Sequence, residues 1–180
     1  NNISNWANVD AYQLLKLTFG GSGYDIACAQ NNQPITYQNN LPKNTRIVKL
    51  VEFNPTFKDN LFFVYLNQKQ NSREGIKYYN ANKHNVLNTI NEIDLITERI
   101  MSCSSISEFE TLIFRHEEIL SKLINLPTIK STIFSDYSGA IKSLGAWGGD
   151  FILVTGSPND MNYFKEKGYQ TIIAYCDLIL

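Results

Sequence analysis

The fold of this chain is decided by the segment Ala140-Ile141-Lys142-Ser143-Leu144-Gly145-Ala146-Trp147-Gly148-Gly149-Asp150-Phe151-Ile152-Leu153-Val154-Thr155. Apolar runs on both sides of a glycine-rich centre predict a strand at 140–143, a loop, and a strand at 151–155. The residues that follow predict a helix at 159–167 and a further strand at 171–174. Because helical patterns precede this segment, the sequence predicts an α+β layer.

A second glycine-rich segment lies near the start of the chain and reads Gly20-Gly21-Ser22-Gly23-Tyr24-Asp25-Ile26-Ala27. Glycine has no Cβ, so several backbone N–H groups can converge on phosphate oxygens, with Asp25 as a candidate base. Two alternatives stay open. Ser22 and Asp25 also fit a helix capping box, and residues 145–149 also fit a simple turn between strands. Walker A and Rossmann motifs are excluded, because the first pattern does not occur and a strand follows the later segment.

Taken in this order, the two segments resemble those of the GHMP kinase superfamily, whose members phosphorylate small-molecule hydroxyls or, in one branch, decarboxylate with ATP. Ser22-Gly23-Tyr24-Asp25 is similar to the family's Ser-Gly-x-Asp motif, and residues 145–150 are similar to its third motif, Gly-Ala-Gly-Gly-Gly-Asp/Gly. Residues 23–27 spell the GYDIA signature of one bacterial subfamily. Asp150 resembles the phosphomevalonate kinase branch, whereas Trp147 stands where the family usually has glycine.

The resemblance implies a GHMP kinase-like α+β fold, with the end of an N-terminal kinase domain at 1–67 and a ferredoxin-like C-terminal domain at 68–180. It implies phosphorylation of mevalonate or phosphomevalonate in isoprenoid precursor synthesis, with Asp25 as the catalytic carboxylate and ATP and Mg²⁺ as cofactors, the metal carried by the nucleotide. The residues predicted to bind substrate or phosphate are Ser22, Gly23, Ser72, Arg73, Lys142, Ser143, Gly145, Ala146, Gly148, Gly149 and Asp150.

Two family features are not found in this sequence: a basic residue near the start of the chain and a Gly-Leu-Gly-Ser-Ser-Ala loop around the ATP phosphates. We therefore expect the chain to be the C-terminal portion of a kinase, inactive as an isolated fragment. The alternatives are a non-catalytic GHMP-like domain that binds a metabolite or a partner, and a GHMP enzyme with another acceptor, such as homoserine or a sugar.

The composition of the chain limits the kinds of molecule that it is expected to bind. The net charge is −1 and the 16 Lys and Arg residues are scattered, which argues against a nucleic-acid-binding protein. No apolar stretch has the length of a membrane span, so a cytoplasmic enzyme with a small-molecule substrate and ATP is expected, and a homodimer is left open. Cys28, Cys103 and Cys176 are predicted to be reduced, and His84 and His116 supply no metal site.

The remaining elements follow from apolar periodicity. Residues 1–19 predict one helix ended by Gly20, and residues 34–38, 46–53 and 61–66 predict strands of a sheet completed by residues outside this sequence. A long helical pattern starts at Ser72, with an interruption at 80–85, and breaks at 102–104. A helix to about Leu123 follows, for which Ser105 with Glu108 and Ser107 with Glu110 both offer a capping box. A short helix after Pro127 completes the prediction.

Overall fold

The structure is a computed structural model, which describes residues 2–18, 20–40, 45–68, 77, 79, 81, 86–145, 147 and 149–179. The described chain is α+β and divides into two compact units, Asn1–Phe53 and Asn54–Leu180. This division differs from the predicted boundary after residue 67, because β3 (Leu61–Tyr65) pairs with two strands near the end of the chain. Both neighbours of residues 61–65 in the sheet therefore come from later in this sequence and none from residues 34–53. That outside residues join this sheet stays a prediction.

The first unit has three short helices and one pair of antiparallel strands among its described residues. The elements are α1 (Asn2–Ala7), α2 (Ala11–Leu17), α3 (Tyr24–Ala29), β1 (Ile35–Asn40) and β2 (Thr45–Leu50). The register places Ile35 opposite Leu50, so both predicted strands are confirmed in place. The side chains of β2 are exposed along its whole length. That outside residues complete this sheet stays a prediction.

The single helix predicted for residues 1–19 is wrong, because two helices occupy this stretch. Asn8 has a φ of 52°, in the left-handed region that ends a helix. Asp10 then caps α2, since its carboxylate accepts the N–H of Gln13 at 2.7 Å. The predicted end is confirmed: the N–H of Gly20, with a φ of 67°, donates to the carbonyl of Leu15 at 2.7 Å.

The second unit is built on a four-stranded sheet in which all neighbouring strands are antiparallel. Besides β3 it contains β4 (Ile141–Ser143), β5 (Phe151–Thr155) and β6 (Ile172–Ala174), in the order β4-β5-β3-β6. The strands predicted at 140–143, 151–155 and 171–174 are thereby confirmed. β3 lies between β5 and β6, the two strands of this sheet that are farthest from it in sequence.

Helices connect these strands. They are α4 (Leu87–Ser102), α5 (Ile106–Ile124), α6 (Ile129–Ile133), α7 (Asn162–Glu166) and α8 (Tyr175–Leu178). The chain runs from β3 through α4, α5 and α6 to β4, directly on to β5, and through α7 to β6. The predicted break at 102–104 is confirmed. Most of the predicted helix before residue 86 lies outside the described residues.

The core of the second unit covers one face of the sheet. The register places Phe62 beside Val154, and Val64 beside Ile152, so alternate residues of neighbouring strands share this face. Phe134 packs against it and is fully buried, with the rings of Tyr163, Phe164 and Tyr169 around it. The other members of this core are Leu66, Ile129, Tyr137, Ile141 and Met161.

Of the two capping boxes that the sequence leaves open, the structure forms the serine half of one, while the Glu108 carboxylate accepts a hydrogen bond from Arg99. The Ser105 hydroxyl accepts the N–H of Glu108 at 3.2 Å, so α5 starts at this cap, whereas Ser107 lies inside the first turn. We expect Ser105→Ala to lower the free energy of unfolding by about 1 kcal/mol, because the N–H of Glu108 loses its acceptor. Urea denaturation with Ser107→Ala as control, which should stay within about 0.5 kcal/mol, checks this. Equal losses in both variants would contradict it.

Candidate functional site

The Asp25 segment forms the start of α3. Gly23 is the N-cap residue with a φ of 80°, and the hydroxyl of Ser22 accepts the N–H of Tyr24 at 3.2 Å. The capping-box alternative, with Ser22 as N-cap, is therefore wrong. Asp25 lies in the first turn and is exposed, and within the described residues no hydrogen bond or ion pair engages its carboxylate. This leaves the Asp25 carboxylate accessible to a ligand.

Glycine is required at position 23 for two reasons. Its left-handed φ disfavours any residue with a Cβ, and a Cβ built there would lie 2.8 Å from the ring of Tyr12. The ring of Tyr12 carries the Arg46 guanidinium on it, with 4.3 Å between the guanidinium carbon and the ring centroid. The ring of Tyr12 therefore lies close both to this cation and to the backbone of Gly23.

Two further tyrosines support the same turn. The Tyr37 hydroxyl donates to the carbonyl of Ser22 at 2.5 Å, and the rings of Tyr24 and Tyr37 meet edge to face with centroids 5.7 Å apart. A hydrogen bond with the Cys28 thiol, together with burial, raises the pKa of Tyr24 to about 12. The sequence analysis missed Tyr12, Tyr37 and Arg46, because they reach the turn through the fold and no local pattern marks them.

The later glycine-rich segment connects β4 to β5 as a hairpin. The N–H of Leu144 donates to the carbonyl of Phe151 at 3.1 Å, which closes its base. At the other side, the N–H of Asp150 donates to the carbonyl of Gln68 and the carbonyl of Asp150 accepts the N–H of Leu66, both at 2.7 Å. A turn between strands is thus present, as one of the two alternatives predicted, and this geometry leaves a ligand role open.

Within the hairpin, the backbone at Gly145 is open to solvent. Its φ is 64°, and a Cβ built there would have no atom of another residue within 4 Å. Asp150 also takes a left-handed conformation, with a φ of 49°. Trp147 is half-buried, and its indole N–H donates to the carbonyl of Pro127 at 3.1 Å. The bulky Trp147 side chain is therefore turned toward the connection between α5 and α6.

A buried carboxylate lies behind the β4 end of the hairpin. Glu117 on α5 is 3% exposed, and one of its oxygens accepts the N–H of Ser143 at 3.2 Å. Its other oxygen lies 3.8 Å from the Lys142 ammonium and 3.7 Å from Nδ1 of His116. Burial lowers the pKa of Lys142, and the negative charge of Glu117 partly opposes this shift. Lys142 and Ser143 thus share one partner.

The sequence analysis missed Glu117, although one signal was available. Glu117 lies four positions after the apolar Ile113, so the helical period places both residues on one side of α5. A carboxylate at that spacing is expected on the buried face. It therefore needs a polar partner, which the structure supplies from β4.

The predicted site residues divide between the two units. Ser22, Gly23 and Asp25 belong to the first unit, whereas the second brings together Lys142, Ser143, Gly145, Gly149 and Asp150 in one hairpin. Ser72, Arg73, Ala146 and Gly148 lie outside the described residues.

Cys28, Cys103 and Cys176 are unpaired in the structure. In the part of the chain that the structure describes, no group of three or more His, Cys, Asp or Glu side chains is placed to hold a metal ion. None of the helices in that part has the length and apolar character needed to cross a membrane. No protein-family model matches the chain, and a search of curated proteins finds no match either.

Proposed function

We propose that this chain is part of a GHMP-type small-molecule kinase, which transfers a phosphoryl group from ATP to mevalonate or phosphomevalonate. The observation that carries the proposal is the topology around the glycine-rich hairpin. In the second unit the chain runs strand, helices, strand, strand, helix, strand, and the first strand lies between the third and the fourth. This is the β-α-β-β-α-β arrangement of ferredoxin-like domains, which the family resemblance implies for the C-terminal domain.

The position of the hairpin supports the same proposal. The segment that resembles the family's third motif forms the connection between the second and third strands of that arrangement, β4 and β5. Gly145 leaves the backbone open to solvent, and Lys142 stands at the base with its side chain a quarter exposed. An exposed glycine beside a cation suits the oxygens of a phosphate or a carboxylate, because the ligand can approach the backbone closely.

Asp25 has the exposure that a catalytic carboxylate needs. With mevalonate as acceptor, Asp25 orients the hydroxyl and takes its proton while the hydroxyl oxygen bonds to the γ-phosphorus and ADP leaves. With phosphomevalonate, a phosphate oxygen bonds to the γ-phosphorus instead and no hydroxyl proton is transferred. Phosphoryl transfer has a loose transition state, so holding the hydroxyl in line counts for more than strong basicity. Tyr37 and Gly23 would contribute by fixing the turn that carries this carboxylate.

The nucleotide itself needs further groups. Mg²⁺ would arrive with ATP and neutralise phosphate charge, and the Gly-Leu-Gly-Ser-Ser-Ala loop that wraps the phosphates in the family does not occur in these 180 residues. We therefore propose that residues outside this sequence supply most of the ATP contacts.

One observation favours a second candidate, a GHMP-like domain that binds a metabolite or a partner without catalysis. Trp147 occupies a position where the family has glycine, and its side chain is held to Pro127 by a hydrogen bond. A loop shaped by this contact differs from one built of glycines alone. The presence of Asp25 favours the enzyme, since a domain that only binds has no need of a carboxylate at that position.

A coupled assay of ADP release tests the proposal in the natural protein that contains this chain. We expect release above the background without acceptor when mevalonate or phosphomevalonate is added, because the Asp150 ending resembles that branch. Homoserine and sugars serve as matched alcohol controls. Release with homoserine or a sugar alone would reassign the acceptor, and acceptor binding by calorimetry without any release would support the non-catalytic candidate.

A further inference from the structure

Glu117 is placed to control the residues that lead into the glycine-rich hairpin. It lies on α5 next to His116, whereas its two contacts outside that helix, the N–H of Ser143 and the ammonium of Lys142, belong to the end of β4. One buried carboxylate thus binds the backbone of the strand and stands beside the cation that precedes the loop. A hydrogen bond from a backbone N–H to a carboxylate is among the stronger kinds, so this contact restrains the strand end.

Several polar atoms of this cluster are buried without a partner. They are the second carboxylate oxygen of Glu117, Nδ1 of His116 and the hydroxyl of Ser143, none of which has a hydrogen bond within the described residues. Leaving a buried polar atom unpaired costs free energy, and a buried carboxylate costs more. A buried ion pair is weak evidence for stability, so stability alone does not account for Glu117.

Lys142 is held loosely. Its ammonium lies 3.8 Å from the Glu117 oxygen and 3.4 Å from the carbonyl of Ser143, although an ammonium can donate three hydrogen bonds. The side chain is only partly buried, with a quarter of it exposed to solvent. An ammonium with two long contacts and access to solvent can exchange a carboxylate for a phosphate oxygen at little cost.

We propose that Glu117 is a positioning residue, which fixes the β4 end of the hairpin through Ser143 and retains the Lys142 ammonium until a phosphate group binds. In this arrangement Lys142 leaves the carboxylate for the phosphate, while the bond to the Ser143 N–H keeps the strand in place. The part that this exchange plays in catalysis rests on the proposed function. The restraint on the hairpin is independent of it.

Trp147 reports on the hairpin directly. The chain has two tryptophans, and Trp6 is 86% exposed, so a Trp6→Phe background leaves Trp147 as the single tryptophan, which is excited selectively at the red edge of the absorption band. In the 180-residue chain, we expect Glu117→Leu to raise the acrylamide quenching rate of Trp147 at least about twofold, because the hairpin opens more often. Glu117→Gln, which keeps an acceptor for Ser143, should have a smaller effect. Glu118→Gln, at the exposed next residue, is the control and should have none.

Inorganic pyrophosphate tests the exchange of partners. Pyrophosphate binding is monitored through the fluorescence of Trp147. We expect Lys142→Met to weaken this binding at least about tenfold, as for a lost charge-assisted contact. Glu117→Gln should bind it about threefold more tightly or better, because Lys142 no longer has to leave a carboxylate. A residue with a merely structural role would weaken binding when changed, so the direction of the Glu117→Gln effect distinguishes the two roles.

Unchanged quenching in folded Glu117→Leu, or weaker pyrophosphate binding by Glu117→Gln, would overturn the proposal. If neither Glu117 variant folds by circular dichroism, the Lys142→Met titration decides, and unchanged affinity refutes the exchange. Failure of the proposed kinase function would be seen separately, because the unmodified natural protein would then release no ADP. That result would not affect the conclusion from the quenching experiment.

Discussion

Replacing Asp25 with alanine is expected to lower the turnover of the natural protein at least about a hundredfold, the lower end for a general acid–base group. The reason is that the acceptor hydroxyl loses the group that orients it and takes its proton. Folding should be intact. The carboxylate is exposed and makes no hydrogen bond in the described residues, so the fold loses only its interaction with the start of α3, about 0.3–1 kcal/mol.

The measurement pairs ADP-release kinetics with thermal unfolding. Asp94→Ala removes an exposed carboxylate from α4 in the second unit and serves as the matched control, with turnover expected to stay normal. Asp25→Asn keeps the shape of the side chain and should lose as much turnover as Asp25→Ala. Near-normal turnover of the folded Asp25→Ala protein would reject the catalytic assignment, and a protein that simply unfolds would show that Asp25 serves the fold.

The second large effect is expected for Gly139→Ala, which should lower the free energy of unfolding by about 3 kcal/mol, at the upper end for overpacking. A Cβ at this position would lie 2.2 Å from the carbonyl oxygen of Thr155. That oxygen has no freedom to move away. It accepts the Tyr137 hydroxyl at 2.6 Å, and the N–H of Thr155 is bonded to the carbonyl of Ala140 at 3.1 Å.

The carbonyl of Gly139 is restrained as well, because it accepts a hydrogen bond from the Lys130 ammonium. Relief of the clash would therefore break one of several buried hydrogen bonds. Urea denaturation measures the effect, with Ser138→Ala, at the exposed preceding position, as the control. A Gly139→Ala protein as stable as the control would show that the approach of the two backbones is less close than described.

Elements bounded by local signals were predicted well from the sequence. The strand Phe151–Thr155 follows an aspartate and precedes Gly156, and both ends were placed correctly. The prediction of one helix for residues 1–19 failed because their apolar spacing is helical throughout. The left-handed turn at Asn8 and the cap at Asp10 divide the stretch into two helices. Periodicity describes which side is apolar and carries little information about such a break.

The pairing of strands that lie far apart in the chain could not be predicted from the sequence. The strand at 61–65 was recognised, but its partners were not, because an apolar run fits any interior strand position. The local motifs identified Asp25 and Lys142 as site residues, but they could not identify Glu117. Its contact with Ser143 exists only because α5 packs beside β4, and a single sequence without structure does not place those two elements together.

The pairing of β3 has a consequence for synthesis. Phe62 must wait for Val154 and Ala174 before it has both of its neighbours. At ordinary rates of translation this interval is roughly 5 to 20 seconds, during which a Leu-Phe-Phe-Val-Tyr segment has left the ribosome without its sheet. That interval is long compared with the microseconds of hydrophobic collapse. The nascent chain therefore offers an apolar strand to chaperones or to neighbouring nascent chains, and its yield in cells depends on which of them reaches it first.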